Sequence, residues 1–401
     1  MDGTEPEAVL EEEGESTAAE LGRLLFKNAI THVFHFTGTG RFSACTSGQD
    51  LVHILAHMRR CEPFPANLWA KLETRAVKEG QPDARLLDPK FLEGHEGALV
   101  WELVARLQQR RAQRDAMRLR ARLFYCQAVD TPLNAKDAFT RPDAMEALAV
   151  VNLTTTAYLL GMCPLFIGMQ IRLSRTLQNT PLLVREVTGT VRNIQFHDRE
   201  PSDWRGRDTS QPVVLRYLPN AVVVELDAAD MRSTTFCDGL APGYIIIPPE
   251  EGQWTWRRFI ATEATKSGRA GLQTEMLRRQ IPLAPRYVNT HFGLQGQTAR
   301  KGMLAYCQKP KGMSDGDYFL AIYVLLSRAT KLDDLLLVGM PARQLFETGL
   351  LALPVLQERM KALEDRAAQD SAAAEGIMTS LDWPTPQHFD HAFAAAASHE
   401  P

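Results

Sequence analysis

The chain has 401 residues, of which 45% are hydrophobic and 23% charged. That is enough for two or three folding units at roughly 100–200 residues each, and it excludes a wholly disordered chain, a collagen-like fibre and a multi-span membrane protein. The formal charge of −3 is unevenly spread: Met1–Glu20 holds eight acidic residues and no basic one, Lys361–Pro401 is net −5, and Leu21–Met360 between them is about +10. A basic body between acidic ends suits a polyanionic partner, although a solvated basic face has the same composition.

Taken in chain order, Gln49–Arg60 places Leu51, Ile54, Leu55 and Met58 at i, i+3, i+4 and i+7, which predicts an amphipathic helix with that stripe inward. A second helix is predicted over Glu96–Leu123, where Val100, Leu103, Val104 and Leu107 give the apolar spacing. Arg106, Arg110, Arg111, Arg114, Arg118, Arg120 and Arg122 crowd it with charge, as a solvated face or as phosphate contacts. Ala147–Ile171 is long and uncharged, but its Asn152, Pro164 and glycines make it buried loop and strand rather than a membrane span.

From Leu165 to Pro249 the texture becomes β-rich, with runs at Met169–Leu173, Leu183–Phe196, Val213–Leu218, Ala221–Leu226 and Tyr244–Ile247 punctuated by Gly189, Pro219–Asn220 and Pro242–Gly243. Such runs predict a small antiparallel barrel or sandwich inserted between α/β parts. Strands are expected at Gly302–Gln308 and Leu335–Met340, a buried helix or strand at Tyr318–Arg328, and a helix at Ala342–Leu363 before an Ala-rich disordered tail.

The six cysteines are scattered without a Cys-x-x-Cys pair, and no basic and apolar leader opens the sequence, so an intracellular setting is expected. FTGTGRFS at Phe36–Ser43 and EATKSGRAG at Glu263–Gly271 both fail the GxxxxGK[ST] pattern and read as turns. His32 with His35, and His53 with His57, have metal-like spacing beside Cys45 or Cys61, but no matching second pair follows. Cys126 and His291 could be written as a thiol catalytic set, but nothing in the sequence brings them together, and ordinary packing is the favoured reading.

The informative region is Arg278–Gly339, where RRQIPLAPRYVNTHFGLQGQTARKG precedes DYFLAIYVLLSRATKLDDLLLVG. These blocks, in this order, resemble the C-terminal half of a superfamily-one DNA helicase of the PIF type, including the related helicases of Helitron transposons. GMQIRLSRTL, LVREVTGTVRNI and LPNAVVVELD resemble strands of that family's Src-homology-three-like barrel, HFTGTGRFS resembles its helix-entry block, and LFYCQAVD at Leu123–Asp130 sits where its second motor domain begins.

The resemblance implies an α/β fold: a second RecA-like motor domain with an inserted Src-homology-three-like antiparallel β-barrel and a helical N-terminal segment. The implied divisions are an acidic disordered tail 1–20, a helical segment 21–85, RecA-like parts at 86–164 and 278–345 around a barrel at 165–277, a C-terminal helix 346–365 and a disordered tail 366–401. By position, Arg41 and Arg328 inherit the γ-phosphate arginines, Gln295, Gly296, Gln297 and Thr298 the nucleotide turn, and Thr290, His291 and Phe292 the nucleic-acid contacts. Phe292 reads as core or as a base-stacking ring, with core slightly favoured.

Two departures matter. Phe292, Gly293 and Leu294 replace the family's HKS, removing a basic phosphate contact, and the family's phosphate-binding loop, Mg²⁺-binding acidic block and sensing Gln have no counterpart. The expectation is a chain without the first motor domain, with ATP and Mg²⁺ implied by the family but their main binding elements absent. Its partners would be single-stranded DNA and a first motor domain supplied upstream or in trans, without a membrane, and a nuclear location is expected. Three functions follow: half a helicase that is not ATPase-competent alone, a non-catalytic single-stranded nucleic-acid binder, or an inert remnant of a mobile element.

Overall fold

A computed structural model describes residues 41–371 apart from 79, 135–138, 180–182, 207 and 260–270. The acidic segment 1–20, His32, His35, most of the turn at 263–271 and most of the tail 366–401 lie outside the described residues. The chain divides into two units, Arg41–Glu347 and the pair of ends Met1–Gly40 with Thr348–Pro401.

The described helices are α1 (Thr46–Arg60), α2 (Ala66–Glu73), α3 (Trp101–Arg118), α4 (Arg141–Leu148), α5 (Asp315–Leu326), α6 (Arg343–Thr348) and α7 (Pro354–Ser371), with shorter turns between. The strands are β1 (Ala76–Val77), β2 (His95–Ala98), β3 (Phe124–Gln127), β4 (Val129–Pro132), β5 (Met162–Leu165), β6 (Gln170–Leu173), β7 (Thr188–Gln195), β8 (Val213–Leu215), β9 (Ala221–Leu226), β10 (Tyr244–Ile247), β11 (Glu250–Phe259), β12 (Gly271–Gln280), β13 (Leu283–Pro285), β14 (Val288–Thr290), β15 (Met303–Tyr306) and β16 (Leu335–Val338).

Five strands form a parallel sheet in the order β1-β16-β15-β2-β14. Leu335, Leu336 and Leu337 are all fully buried, as expected of a parallel strand covered on both faces. On one face lies α3, whose Val104 and Leu107 pack with Ala98 and Val288. On the other, Gly97 has no side chain, and an added Cβ would come within 2.8 Å of Leu325 of α5, Leu294 and Met303. That bare position allows the helix and the 290s turn to approach the sheet together. Helix α5 starts at Ser314, whose hydroxyl accepts from the Asp317 amide at 3.0 Å, with Asp315 and Asp317 favourably placed against the helix dipole.

The predicted stripe of α1 is buried at Leu51, Ile54, Leu55 and Met58. The helix stops at Cys61, held in the left-handed region at φ 53°, while the Glu62 amide donates to the His57 carbonyl. The helix expected over Glu96–Leu123 is instead a strand, β2, followed by α3 from Trp101, because a buried parallel strand is too short to show its own period. The helix expected over Ala342–Leu363 is broken into α6, a 3-10 turn at Gly349–Ala352 and α7, which begins on Pro354.

The β-rich region forms an antiparallel sheet in the order β10-β9-β7-β6-β13, with an irregularity between Val191 and Asn193. Its end strands β10 and β13 do not pair with each other among the described residues, so the strands expected to form a small barrel or sandwich are seen as a five-stranded antiparallel sheet. Its strands also reach beyond 165–277, since β13 pairs with β6. The run at 124–132, expected to open a RecA-like part, lies elsewhere: β3 joins β5 and β8, and β4 joins the ten-residue hairpin of β11 and β12. β3, β5 and the antiparallel sheet share one apolar core that includes Phe124, Cys163, Ile171, Val224 and Leu283.

One buried polar contact fastens the hairpin. Arg278, fully buried, donates twice to Asp130 at 2.8 Å and also to the Ala147 and Leu159 carbonyls, with its guanidinium 4.6 Å from the Trp254 ring centroid. No helix among the described residues is long and apolar enough to cross a membrane.

Candidate functional site

Helix α5 runs back from the end of β15 to the start of β16, so its C-terminus lies where β15 and β16 begin. Ser327 and Arg328 follow it directly. Arg328 is half-buried; its Nε donates to the Val324 carbonyl at 3.1 Å and to Ser327 Oγ at 3.2 Å, and its Nη2 donates to the same hydroxyl at 2.7 Å. A guanidinium at the carbonyl end of a helix is favoured by the macrodipole.

The glutamine-glycine turn closes over this guanidinium. Nη1 of Arg328 donates to the carbonyls of Leu294 and Gln297, each at 3.4 Å, and the Ala299 amide donates to the Arg328 carbonyl at 2.9 Å. The turn is built by backbone bonds from Leu294 to Thr290, from Gln295 to Phe292 and from Gln297 to Leu294. Gly296 has φ +79°, a left-handed value that favours glycine, and open space around its Cα.

Arg41 arrives from the other end of the unit. Its Nη1 donates to the Ser327 carbonyl at 3.1 Å, the Ser43 amide to the Thr330 carbonyl at 2.9 Å, and the Asp333 amide to Ser47 Oγ at 2.9 Å. Burial first, and then the positive charge of Arg41, hold the Arg328 pKa below its ordinary value. Among the described residues neither guanidinium has a carboxylate within ion-pair distance; their acceptors are carbonyls and the Ser327 hydroxyl. Both keep at least one N–H free of any protein acceptor among those residues.

Gln297 ties the turn to the antiparallel sheet. Its side-chain amide donates to the Gly293 carbonyl at 2.9 Å and to Glu186 at 3.4 Å, and Glu186 is paired with the buried Arg172. Arg172 in turn reaches Asn289 at 3.4 Å, and Asn289 donates to the Gly293 carbonyl. Gln295 and Gly296 are exposed, Thr298 is half-buried, and Thr298 offers its carbonyl to the Arg300 amide at 3.1 Å.

The three nucleic-acid candidates separate. Thr290 is buried and its hydroxyl accepts from the Gly293 amide at 3.2 Å. His291 is buried, its Nδ1 has no partner among the described residues, and burial holds its pKa below the ordinary value. Thr290 is thus committed to the turn, while the His291 ring is buried beside it. Phe292 is 70% exposed, not core, and its ring lies tilted against that of His291 with centroids 4.0 Å apart.

The arginine-rich helix is also resolved. Arg110, Arg111 and Arg114 converge on the buried carboxylate of Glu96, and Arg118 pairs with Glu93, so much of that charge fastens α3 to the sheet. His57 faces Glu62 and Phe64, and no group of three His, Cys, Asp or Glu among the described residues could hold a metal ion. Cys126 lies opposite Cys163 across β3 and β5, buried and with its pKa pushed well up by burial, so the nominal Cys126–His291 set is not a nucleophile.

Sequence reasoning assigned no role to Ser327, Glu186 or Arg172. Ser327 stood in plain view inside YVLLSRA, but its contact with Arg41 spans 286 residues of chain.

No protein-family model matches the chain, and no curated protein matches it in sequence. Its structural neighbours are Pif1 helicases. They include Pif1 helicase from Candida albicans, with a TM-score of 0.44, 15% identity, 77% of this chain covered and 57% of that one. Bacteroides Pif1 bound to ssDNA has a TM-score of 0.45 and 12% identity over 82% of this chain and 60% of that one. Bacteroides Pif1 in complex with ADP-AlF3 and ssDNA has a TM-score of 0.44 and 12% identity over 82% and 57%. The chain thus spans less than two thirds of the length of these helicases.

Proposed function

We propose that this chain is the C-terminal part of an ATP-dependent DNA helicase that moves on single-stranded DNA, supplying one wall of a nucleotide pocket whose phosphate-binding loop and metal ligands belong to another domain. The observation that carries this reading is the meeting of Arg41 and Arg328 at Ser327, next to the Gln295–Thr298 turn and with no carboxylate partner among the described residues. The YVLLSRA and LQGQT blocks that resemble the helicase family are the same segments that meet at Arg328, which supports this reading.

Transfer of a γ-phosphoryl group spreads charge over its oxygens, and positioned guanidinium groups stabilise that charge. Arg41 and Arg328 would face the γ-phosphate when a cleft closes; MgATP bound there supplies the cleavable bond and its metal. The planar fork of arginine donates two parallel bonds to phosphate and stays ionised at physiological pH. Without a phosphate-binding loop the chain alone holds ATP weakly, so ATPase activity requires the other domain.

The exposed Phe292 ring favours a second reading, in which the chain binds single strands by base stacking without hydrolysis. One experiment separates the two. Single-strand affinity is measured across a salt series with and without MgATP, then again with a first motor domain added in trans. Nucleotide-coupled binding that appears on addition supports the helicase reading; binding indifferent to nucleotide throughout supports the second; absence of binding at low salt sinks both.

A further inference from the structure

We propose that Ser327 is a positioning residue for both arginines, its hydroxyl fixing Arg328 and its carbonyl fixing Arg41. The inference rests on the triphosphate reading of that pair.

The hydroxyl has one proton and two acceptor positions. The proton is committed to the Val324 carbonyl at 2.9 Å, which turns the oxygen lone pairs toward Arg328. Both positions are then filled by one guanidinium, through Nε at 3.2 Å and Nη2 at 2.7 Å. Because Ser327 caps α5, is buried and has its own amide bonded to the Tyr323 carbonyl, the anchor is as rigid as the helix. Its carbonyl accepts from Arg41 at 3.1 Å.

The choice of a neutral anchor has a physical consequence. A carboxylate in this place would hold the arginines more strongly but cancel the charge that a phosphate must meet. A hydroxyl and a peptide carbonyl orient the two forks and leave both charges intact. Nε is also shared with the Val324 carbonyl at 3.1 Å, whereas the bonds of Nη1 to Leu294 and Gln297 are long at 3.4 Å, so Nη1 is the part that exchanges most readily to an incoming oxygen. Ser327 thus holds one edge of the guanidinium while the other changes partner.

The test uses the full chain and inorganic tripolyphosphate as probe. Ser327→Thr and Ser327→Val have the same shape and differ in the hydroxyl; Ser327→Ala removes the oxygen without adding atoms and replaces the valine variant if circular dichroism shows that valine disturbs folding. Arginine Nε–Hε resonances are assigned with Arg41→Lys and Arg328→Lys, and affinity is read by calorimetry. In Ser327→Val the Arg328 resonance is expected to broaden or shift while that of Arg41, held by the backbone, stays. Affinity is expected to fall roughly tenfold, as for loss of hydrogen bonds to a charged group, and to return in Ser327→Thr. Equal affinity and an unchanged Arg328 resonance in the valine and threonine variants would overturn the role of Ser327 while leaving the arginine pair standing. Failure of the unmodified chain to bind tripolyphosphate would overturn both.

Discussion

Arg41 and Arg328 share Ser327: one guanidinium takes its carbonyl and the other its hydroxyl, so two like charges are held near each other by a neutral residue. Burial and mutual repulsion oppose this arrangement, as the lowered Arg328 pKa reflects. Removing one charge should therefore cost little stability in the absence of anions. Arg41→Ala is expected to change the unfolding midpoint by no more than a degree or so in low-phosphate buffer. It should also abolish most of the rise in midpoint that tripolyphosphate produces in the unmodified chain. Differential scanning fluorimetry with and without the anion reads both effects.

The two glycines of the turn should behave differently. At Gly296 a Cβ meets open space, so Gly296→Ala carries only the strain of φ +79°, about 1 kcal/mol. At Gly293 a Cβ would fall 2.2 Å from the Asn289 side chain, which also holds the Gly293 carbonyl. Gly293→Ala is expected to be the more destabilising of the two and the more damaging to tripolyphosphate binding. Urea unfolding of both variants compares them directly.

Arg278 and Asp130 form the most deeply buried ion pair described, with side chains 0% and 2% exposed. Loss of either partner leaves a buried charge unmatched, at a cost of about 3–5 kcal/mol. Arg278→Met should therefore lower the urea midpoint strongly, and the double variant with Asp130→Leu should recover a large part of the loss. Additive losses in that cycle would show that the pair is not coupled.

His95 makes stability depend on acid. Burial, then the charges of Arg286 and Arg111, lower its pKa to about 4, and its Nδ1 is buried without a partner among the described residues. The unfolded chain takes up this proton near pH 6.5 and the folded chain only near 4. The group's contribution to stability is therefore full above about pH 6.5 and declines as pH falls toward 4, by about 3 kcal/mol at most. His95→Phe should flatten that acid limb, which urea titrations at pH 7, 5.5 and 4.5 can measure.

The cysteines should sort by exposure. Burial pushes Cys163 and Cys307 up to about 12, whereas hydrogen bonding from Ser43 and the Gly48 amide lowers the pKa of the exposed Cys45. A thiol reagent at neutral pH should label Cys45 first, and Cys126, Cys163 and Cys307 only after unfolding. Rapid native labelling of Cys126 would contradict its place in the core.

Local features are legible in the order of the amino acids. The apolar period of Gln49–Arg60 fixes one face of α1, and the uninterrupted apolar run at Leu335–Val338 needs burial on both sides. The QGQT and YVLLSRA blocks also marked two segments that the fold brings into contact, through the bonds of Arg328 to the Leu294 and Gln297 carbonyls. These signals are legible because each depends on neighbours a few residues apart.

The remaining features follow from how distant segments pack. That packing placed β2 where the periodicity suggested helix, left β10 and β13 unpaired with each other among the described residues, moved β3 and β4 out of the parallel sheet and exposed Phe292. It also turned the arginines of α3 inward onto Glu96, and it gave Ser327 a partner 286 residues away. In each case the outcome depends on which strands pair and which charges find one another in the folded core, and those energies are set by contacts that no local spacing encodes.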